Sequence, residues 1–300
     1  MNEPLEGIII ALTTPFDGDA VSKRKLADNV RKLNATAVDG YLVLGSTGES
    51  VSLTDAESLE AVEAVLEAAA PAKKVIVGTA REWTRGTIDF TAGLPARGID
   101  AVLVRPPSYY KSRMTREALK AHFLAVAEAS RYPVLLYNMP ANTGFSLESR
   151  LVVELAAHAN IAGLKESGGS LPMLAEVVRE VPERFRYFTG SGHAVYPSLA
   201  MGACGAILAV ANVVPELSAG IFQAWKSGRA QEARRLQLEL VPFNKALVTD
   251  YGIAGLKYAQ ELRGYHGGTT RLPLLPVDEK GRAEIAALLK RGQLQVTVPV

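Results

Sequence analysis

Short apolar runs alternate with longer amphipathic stretches between residues 7 and 226. Each run is rich in Val, Ile, Leu or aromatic residues and is bounded by Gly, Pro or Ser, which is typical of strands buried in a parallel sheet. Eight such strands are predicted: Gly7–Phe16, Tyr41–Leu44, Val75–Gly78, Ala101–Val104, Val134–Tyr137, Ile161–Lys165, Arg186–Thr189 and Gly205–Val210.

The stretches between the strands show helical periodicity. Thr54 and Glu57 form a capping-box pattern, and apolar residues then recur at helical spacing. Thr115 begins a second helix, with Leu119 and Phe123 on one face. The regular alternation therefore predicts βα units.

Eight βα units in the first 226 residues average about 28 residues each, as in a (β/α)8 barrel. A doubly wound sheet is the alternative, but no G-x-G-x-x-G follows the first strand and eight strands exceed its usual six. We therefore predict an α/β fold, a (β/α)8 TIM barrel over residues 1–226 with a C-terminal helical region over residues 227–300.

Strand patterns stop after residue 226, and helical patterns continue. Gly228 opens a helical stretch that Pro242 is expected to bend or break. Tyr251–Leu262 and Glu279–Lys290 are predicted as two further helices, the last closed by Gly292.

Composition narrows the class of protein. Of 300 residues, 48% are hydrophobic and 21% are charged, which suits a folded chain with a sizeable core. The net charge of +2, without long runs of one sign, gives no indication of nucleic-acid or membrane-surface binding. Cys204 is the single cysteine, so an internal disulfide and a cysteine zinc cluster are excluded. With no signal-peptide pattern and no membrane-spanning stretch in the sequence, a cytoplasmic enzyme is expected.

Candidate chemistry lies after the predicted strands, because barrel active sites form at the carboxyl ends of the strands. Polar, glycine-rich and phenolic groups follow five of the strands, at Gly45–Glu49, Arg105–Tyr110, Tyr137–Pro140, Lys165–Gly169 and Gly190–His193.

Lys165 is the most informative of these residues, because it closes an apolar strand and its amine should point into the barrel mouth. Partial desolvation there would lower the pKa of a lysine from about 10.4 and free the amine as a nucleophile toward carbonyls. The alternative is a structural ion pair with Glu166 or another carboxylate at the rim. Position alone leaves both interpretations open.

The neighbouring rim groups are also open to two interpretations. The Gly45–Gly48 loop could present backbone N–H groups to a carboxylate, or could be an ordinary βα turn. Tyr137 could relay protons or only pack, and Tyr109 and Tyr110 could be interface aromatics.

Metal and serine chemistry are both disfavoured. The four histidines show no metal spacing, and no His/Asp/Glu cluster follows the strands. His122 and His158 are expected to be partly solvated on helices, whereas His193 is near enough to the rim to touch substrate. The sequence contains no G-x-S-x-G motif of a serine hydrolase.

With these residues in place, the whole chain resembles the dihydrodipicolinate synthase/N-acetylneuraminate lyase family of Schiff-base-forming pyruvate aldolases. The matching motifs are GSTGE at 45–49, YNMP at 137–140, GLKESGG at 163–169 and AVANV at 209–213. The resemblance implies a (β/α)8 barrel, a homotetramer built as a dimer of dimers, and no metal or organic cofactor.

The resemblance also implies catalytic roles for four residues. Lys165 matches the lysine that forms the imine with pyruvate, and Tyr137 matches the tyrosine that shuttles protons. Ser46 matches the hydroxyl residue that links this tyrosine to a second one from a neighbouring subunit. Tyr110 is the candidate for that second tyrosine, although the segment is one residue longer than in typical synthases and Tyr109 adjoins it.

Binding roles follow from the same comparison. Thr47, with the loop amides that begin at Gly45, matches the group that holds the pyruvate carboxylate. Ile207 falls where the family places a backbone carbonyl near the bound ketoacid.

Departures from the family patterns bear on the second substrate. Dihydrodipicolinate synthases have an arginine for the aldehyde carboxylate where this chain has Asn142, and lysine-inhibited members often have histidines where Asp55 and Ser58 stand. N-acetylneuraminate lyases have acidic residues where Gly192 and His193 stand. The chain looks closest to the 4-hydroxy-2-oxoglutarate aldolases of the family. The residues available to choose the second substrate are Arg105, Ser167, Ser191 and His193, and Asn142 and Gly190 are also expected to bind substrate.

Three functions are therefore considered. The first is a lyase that cleaves a 4-hydroxy-2-oxo acid, 4-hydroxy-2-oxoglutarate being favoured, to pyruvate and glyoxylate. The second is a 4-hydroxy-tetrahydrodipicolinate synthase that condenses pyruvate with aspartate semialdehyde. The third is a non-catalytic sensor of ketoacids, which the presence of Lys165, Tyr137 and Ser46 together argues against.

Overall fold

Eight parallel strands close into a barrel in which each strand pairs with its neighbours in sequence and the last pairs with the first. The computed structural model describes residues 4–292 and residue 294, and none of the helices in this part is long and apolar enough to cross a membrane. The strands are β1 (Gly7–Ala11), β2 (Gly40–Val43), β3 (Lys74–Gly78), β4 (Ala101–Val104), β5 (Val134–Asn138), β6 (Ile161–Glu166), β7 (Arg186–Thr189) and β8 (Gly205–Leu208). The predicted fold class is confirmed.

A helix of the same number follows each strand and packs outside the barrel. The Thr54 capping box is present, and the Thr115 hydroxyl accepts the N–H of Ala118 at the start of its helix. The helices are α1 (Lys23–Leu33), α2 (Asp55–Ala68), α3 (Thr84–Gly93), α4 (Arg116–Ala129), α5 (Ser149–Ala156), α6 (Leu171–Glu180), α7 (Val195–Ala200) and α8 (Pro215–Lys226). A hairpin (Phe16–Asp17 with Ala20–Val21), one α-helical turn (Pro140–Thr143) and several short 3₁₀ turns lie between these elements.

Each strand is buried on both faces, because one set of side chains fills the barrel and the alternate set packs under the helices. The interior set includes Leu42, Leu135 and Phe188. Burying one such side chain contributes about 1.5–3 kcal/mol. The double burial explains why the strands are continuous apolar runs in the sequence.

The first and last strands end two or more residues earlier than predicted, and polar side chains form hydrogen bonds where the chain leaves each of them. The first strand ends at Ala11, after which the Thr13 hydroxyl donates to the Gln260 side-chain oxygen (2.7 Å). The last strand ends at Leu208, and Asn212 then donates to the Ala11 carbonyl oxygen (2.7 Å).

The C-terminal region contains α9 (Ala230–Asn244), a π-helix (Lys245–Asp250), α10 (Gly252–Leu262) and α11 (Glu279–Arg291). Of the bend or break predicted at Pro242, the break is wrong, since α9 continues through this residue to Asn244, and a bend there stays a prediction. The wider i→i+5 turns of the π-helix begin at Lys245. The predicted boundary between the barrel (residues 1–226) and the C-terminal helical region (residues 227–300) stays a prediction. Residues 1–3, 293 and 295–300 of these two regions lie outside the described residues.

A buried ion pair joins α10 to the loop after β2. The Lys257 amine lies 2.5 Å from a carboxylate oxygen of Glu49, and both side chains are buried. Lys257 also donates to the Thr269 carbonyl oxygen (2.7 Å) and lies 4.3 Å from the ring centroid of Phe16. Because Glu49 directly follows Gly45–Gly48, the C-terminal region fixes that loop from behind.

Candidate active site

Lys165 and Tyr137 lie side by side at the carboxyl end of the barrel. They are register partners on β6 and β5, and the Lys165 amine is 4.5 Å from the ring centroid of Tyr137. Both side chains are buried, and Tyr137 belongs to the interior core. The strand alternation therefore places an amine and a phenol together inside the mouth of the barrel.

Ser46 completes a line of three polar groups. Its hydroxyl lies 3.3 Å from the Tyr137 hydroxyl, within hydrogen-bond distance. Burial by itself would raise the pKa of the Tyr137 phenol, but the Lys165 charge and hydrogen bonds with the Ser46 and Ser167 hydroxyls lower it below its ordinary value. A phenol whose pKa is lowered in this way has the chemistry that proton transfer requires.

Glu166 does not pair with Lys165, so the structural alternative for this lysine is not supported. The Glu166 carboxylate points to the other face of β6, where it accepts the N–H groups of Gly168 (2.5 Å), Gly169 (2.9 Å) and Ser170 (3.1 Å). In the part of the chain that the structure describes, Lys165 forms no ion pair with a carboxylate. Its amine is available to a ligand.

The loop after β2 forms a tight 3₁₀ turn over Ser46–Gly48. Gly45 is buried and Thr47 is half-buried. A Cβ at Gly48 would lie 3.1 Å from the Leu12 carbonyl oxygen, so a small residue suits this close approach. The turn brings Thr47 next to Ser46, on the same rim as Lys165.

The loops after β6 and β7 meet each other closely. The Gly190 N–H donates to the Glu166 carbonyl oxygen (2.6 Å), and a Cβ at position 190 would lie 2.0 Å from the Ser167 hydroxyl oxygen. Ser191 packs against Gly169. The structure thus brings Ser167, Gly190 and Ser191 together, as expected for one wall of a site.

Ile207 lies across the barrel on β8 and is buried in the same interior core as Tyr137. The role expected of its backbone carbonyl, near a bound ketoacid, stays a prediction.

A cleft of about 350 Å³ opens beside Ser46. Asn142, on the turn after β5, is in its wall together with Met139. The lining residues are Ser46, Glu49, Val51, Ser52, Glu82, Arg105, Ser108, Met139, Asn142, Thr143, Ile253, Pro273 and Leu274. Ser46 therefore connects this cleft to Tyr137 and Lys165.

Glu82, a cleft residue that the sequence analysis missed, pairs with Arg105 at 2.5 Å. Burial would raise the pKa of Glu82, but the N–H groups of Ser108 and Tyr109 and the Arg105 guanidinium together lower it. Glu82 lies in the loop after β3, which is not among the five segments from which the sequence analysis takes its candidate residues. Position after a barrel strand was the signal that could have found it.

Three predicted residues lie apart from this group. Tyr109 and Tyr110 are 80% and 69% exposed, with rings edge-to-face at 5.0 Å, and Tyr110 makes no hydrogen bond to Ser46 within the described chain. His193 is exposed, and its Nε2 lies 3.5 Å from the Thr249 hydroxyl of the π-helix.

The prediction that His122 is partly solvated is wrong. His122 is buried on α4, and its Nδ1 lies 3.0 Å from the Thr84 hydroxyl. Burial first, and the nearby Arg105 charge second, lower the pKa of His122 to about 4, while Glu82 acts in the opposite direction. His158 is half-buried, in agreement with its prediction.

A larger open cleft of about 670 Å³ lies between α8, α9 and α11, bordered by Phe243 and Leu288. None of the predicted site residues lines it. The chemistry is therefore concentrated at the barrel mouth.

A buried lysine beside a tyrosine at the carboxyl rim of a barrel is the arrangement expected of a Schiff-base aldolase. The comparisons with known proteins place the chain in a family of this class. Residues 4–292 match the model of the dihydrodipicolinate synthetase family. The chain belongs to that family, whose members are lyases of the class I aldolase type. Membership supports the enzyme hypotheses over a non-catalytic sensor.

Relatives and solved structures extend over nearly the whole chain. A 4-hydroxy-tetrahydrodipicolinate synthase of Methanopyrus kandleri is 35% identical over 294 residues, covering 97% of this chain and 96% of the relative. A 4-hydroxy-tetrahydrodipicolinate synthase of Listeria welshimeri is 35% identical over 286 residues, covering 94% of this chain and 97% of the relative. The crystal structure of dihydrodipicolinate synthase from Aquifex aeolicus superposes with a TM-score of 0.93, covering 98% of this chain and 100% of that chain, and the two sequences are 29% identical. The expected closeness to 4-hydroxy-2-oxoglutarate aldolases is not confirmed by these matches.

Proposed function

We propose that the protein cleaves and forms a 4-hydroxy-2-oxo acid through an imine between Lys165 and pyruvate, with glyoxylate as the aldehyde. The observation that supports this chemistry best is the buried Lys165 amine beside Tyr137, whose hydroxyl lies within hydrogen-bond distance of Ser46. An amine next to a proton-exchanging phenol is what imine formation and C–C cleavage both need.

In the cleavage direction, the Lys165 amine attacks the C2 carbonyl and water leaves. The protonated imine accepts electrons from the C3–C4 bond while Tyr137 removes the proton of the C4 hydroxyl. The bond breaks to give the aldehyde and an enamine. Protonation of the enamine at C3, followed by hydrolysis of the imine, releases pyruvate and restores the amine.

The neighbouring groups bind the ketoacid. The Thr47 hydroxyl and the amides of the loop beginning at Gly45 hold the pyruvate carboxylate, and the Ile207 carbonyl faces the bound ketoacid. Ser46 passes protons between Tyr137 and Tyr110 of a neighbouring subunit. The exposure of Tyr110 agrees with a contact between subunits, and we propose the homotetramer, a dimer of dimers, that the family resemblance implies.

Asn142 and Arg105 support a small aldehyde. Asn142 offers only neutral hydrogen bonds where the synthases are expected to have an arginine. Arg105 is the one cation among the described residues that line the cleft. We propose that it binds the glyoxylate carboxylate, with Ser167, Gly190 and Ser191 on the neighbouring wall.

The second candidate is 4-hydroxy-tetrahydrodipicolinate synthase, with aspartate semialdehyde as the aldehyde. The comparisons favour it over glyoxylate, since the relatives described above have that name. Arg105 would then bind the carboxylate of the semialdehyde, a role for which the synthases are expected to use an arginine at the position of Asn142.

Steady-state assays separate the two candidates. Pyruvate is incubated with glyoxylate or with aspartate semialdehyde, and kcat/KM is compared in the condensation direction; cleavage of 4-hydroxy-2-oxoglutarate is measured by pyruvate release. We expect glyoxylate to be preferred by at least about tenfold, or about 1.4 kcal/mol. A preference for aspartate semialdehyde would select the second candidate.

A further inference from the structure

Among the described residues, the Glu82 carboxylate accepts three hydrogen bonds, and all three come from one loop, the segment after β4. One carboxylate oxygen accepts a hydrogen bond from Nη1 of Arg105 at 2.5 Å. The other accepts the backbone N–H groups of Ser108 (2.8 Å) and Tyr109 (2.9 Å). Glu82 thus connects the loop after β3 to the loop that contributes Arg105 to the cleft.

The contact with Arg105 uses only one end of the guanidinium. Nη1 donates to Glu82 and to the Pro106 carbonyl oxygen, whereas Nε and Nη2 have no hydrogen-bond partner among the described residues. The Arg105 side chain lines the cleft and is 18% exposed. A partly buried guanidinium with two free donors is suited to bind a carboxylate in the bidentate geometry that arginine favours.

Glu82 is itself held in place. Two backbone amides hold the oxygen that does not face Arg105, so rotation of the carboxylate away from Arg105 would also break both of these hydrogen bonds. A carboxylate fixed in this way acts on Arg105 as an anchor and not as a competitor that a substrate displaces. Its attraction for Nη1 also limits the rotamers that the long arginine side chain can adopt.

We propose that Glu82 is a positioning residue that determines specificity: it holds Arg105 so that the free Nε and Nη2 donors receive the carboxylate of the aldehyde substrate. This inference rests on the proposed function, in which the aldehyde binds in this cleft. Glu82 acts through Arg105 and does not touch the reacting carbon. Its effect is therefore confined to aldehydes that have a carboxylate.

The test compares glyoxylate with glycolaldehyde, an uncharged aldehyde of similar size, each with pyruvate. For Glu82→Gln and Glu82→Ala we expect kcat/KM for glyoxylate to fall by at least about tenfold, mainly through a higher KM, as on loss of a charge-assisted bidentate contact. The value for glycolaldehyde should change by less than about threefold. Arg105→Met should give the same pattern, and Glu82→Gln added to Arg105→Met should cause no further loss.

Asp55→Asn is the matched control. Asp55 accepts hydrogen bonds from Arg81, the residue next to Glu82, but neither Asp55 nor Arg81 lines the cleft. This variant removes the carboxylate that pairs with the arginine next to Glu82. It should leave kcat/KM unchanged for both glyoxylate and glycolaldehyde. Borohydride trapping of pyruvate on Lys165 checks that each variant has a folded site.

Several results would overturn the inference. Equal losses for glyoxylate and glycolaldehyde would show that Glu82 only supports the loop, and an unchanged or higher kcat/KM for glyoxylate would show that Arg105 does not need its anchor. If glyoxylate is not the natural aldehyde, the wild type will show a higher kcat/KM for aspartate semialdehyde than for glyoxylate. In that case aspartate semialdehyde and uncharged butanal replace the two aldehydes, and the same ratio decides the role of Glu82.

Discussion

The amine of Lys165 lies 4.5 Å from the ring centroid of Tyr137, its register partner on the neighbouring strand. Both groups point into the barrel because their positions have the same parity on adjacent strands. The amine and the phenol are therefore fixed by paired strands and not by a loop.

Lys165 should be the single site of covalent labelling. Incubation with pyruvate and borohydride should add one reduced pyruvyl group there, because reduction traps an imine that otherwise hydrolyses. Lys165→Ala should abolish labelling and turnover, while Lys120→Ala on the exposed face of α4 should retain both. Peptide mapping by mass spectrometry checks the position, and a label on another lysine would refute the assignment.

Tyr137→Phe should lower kcat by about 10²–10⁴-fold, the usual effect of losing a positioned general acid–base. Pyruvate should still form its imine in this variant, although more slowly, because the Lys165 amine remains. Stopped-flow measurement of imine formation beside steady-state kcat separates the two effects. An unchanged kcat would mean that Tyr137 only packs in the interior.

Asn142→Arg should narrow the preference for glyoxylate over aspartate semialdehyde, since an arginine on this wall adds a second carboxylate-binding group. The measurement is the ratio of the two kcat/KM values, in the variant and in the wild type. Asn142→Ala is the control, because it removes the amide without adding charge. An unaltered ratio in the arginine variant would show that position 142 does not reach the aldehyde.

Lys257→Met should destabilise the fold by about 3–5 kcal/mol, because the buried Glu49 carboxylate would lose its ionic partner. Adding Glu49→Gln should restore part of this loss, since no unpaired charge then remains buried. Denaturant unfolding of the two single variants and the double variant measures the coupling. Strictly additive losses would contradict a direct interaction between the two side chains.

His122 should make stability fall in mild acid. Its pKa is about 4 in the folded protein and about 6.5 in the unfolded chain, so only the unfolded chain gains a proton between these values. The contribution of neutral His122 to the free energy of unfolding is fully present above pH 6.5. It is lost as the pH falls from 6.5 to 4, by up to about 3 kcal/mol. In urea unfolding at pH 7.5 and 4.5, His122→Gln should lose less stability than the wild type. An identical pH dependence would show that other groups cause the acid sensitivity.

The fold was predictable because barrel strands are buried on both faces, which leaves apolar runs that local pattern detects. Strand ends were less predictable. Thr13 turns away from the expected first strand because its partner, Gln260, is almost 250 residues later in the chain. Pro242 remains inside α9, although local rules predict a bend or break there.

The sequence by itself determined the barrel, the family, and the positions of Lys165, Tyr137 and Ser46, since each of these follows from a strand end or a contiguous motif. Only the tertiary structure decided which partners the charged groups have. Glu82 accepts a hydrogen bond from Arg105 of the next loop, and the C-terminal Lys257 pairs with Glu49 beside the rim. The physical reason is that strand alternation is local in the chain, whereas pairing of charges depends on distances between segments that only the closed barrel brings together.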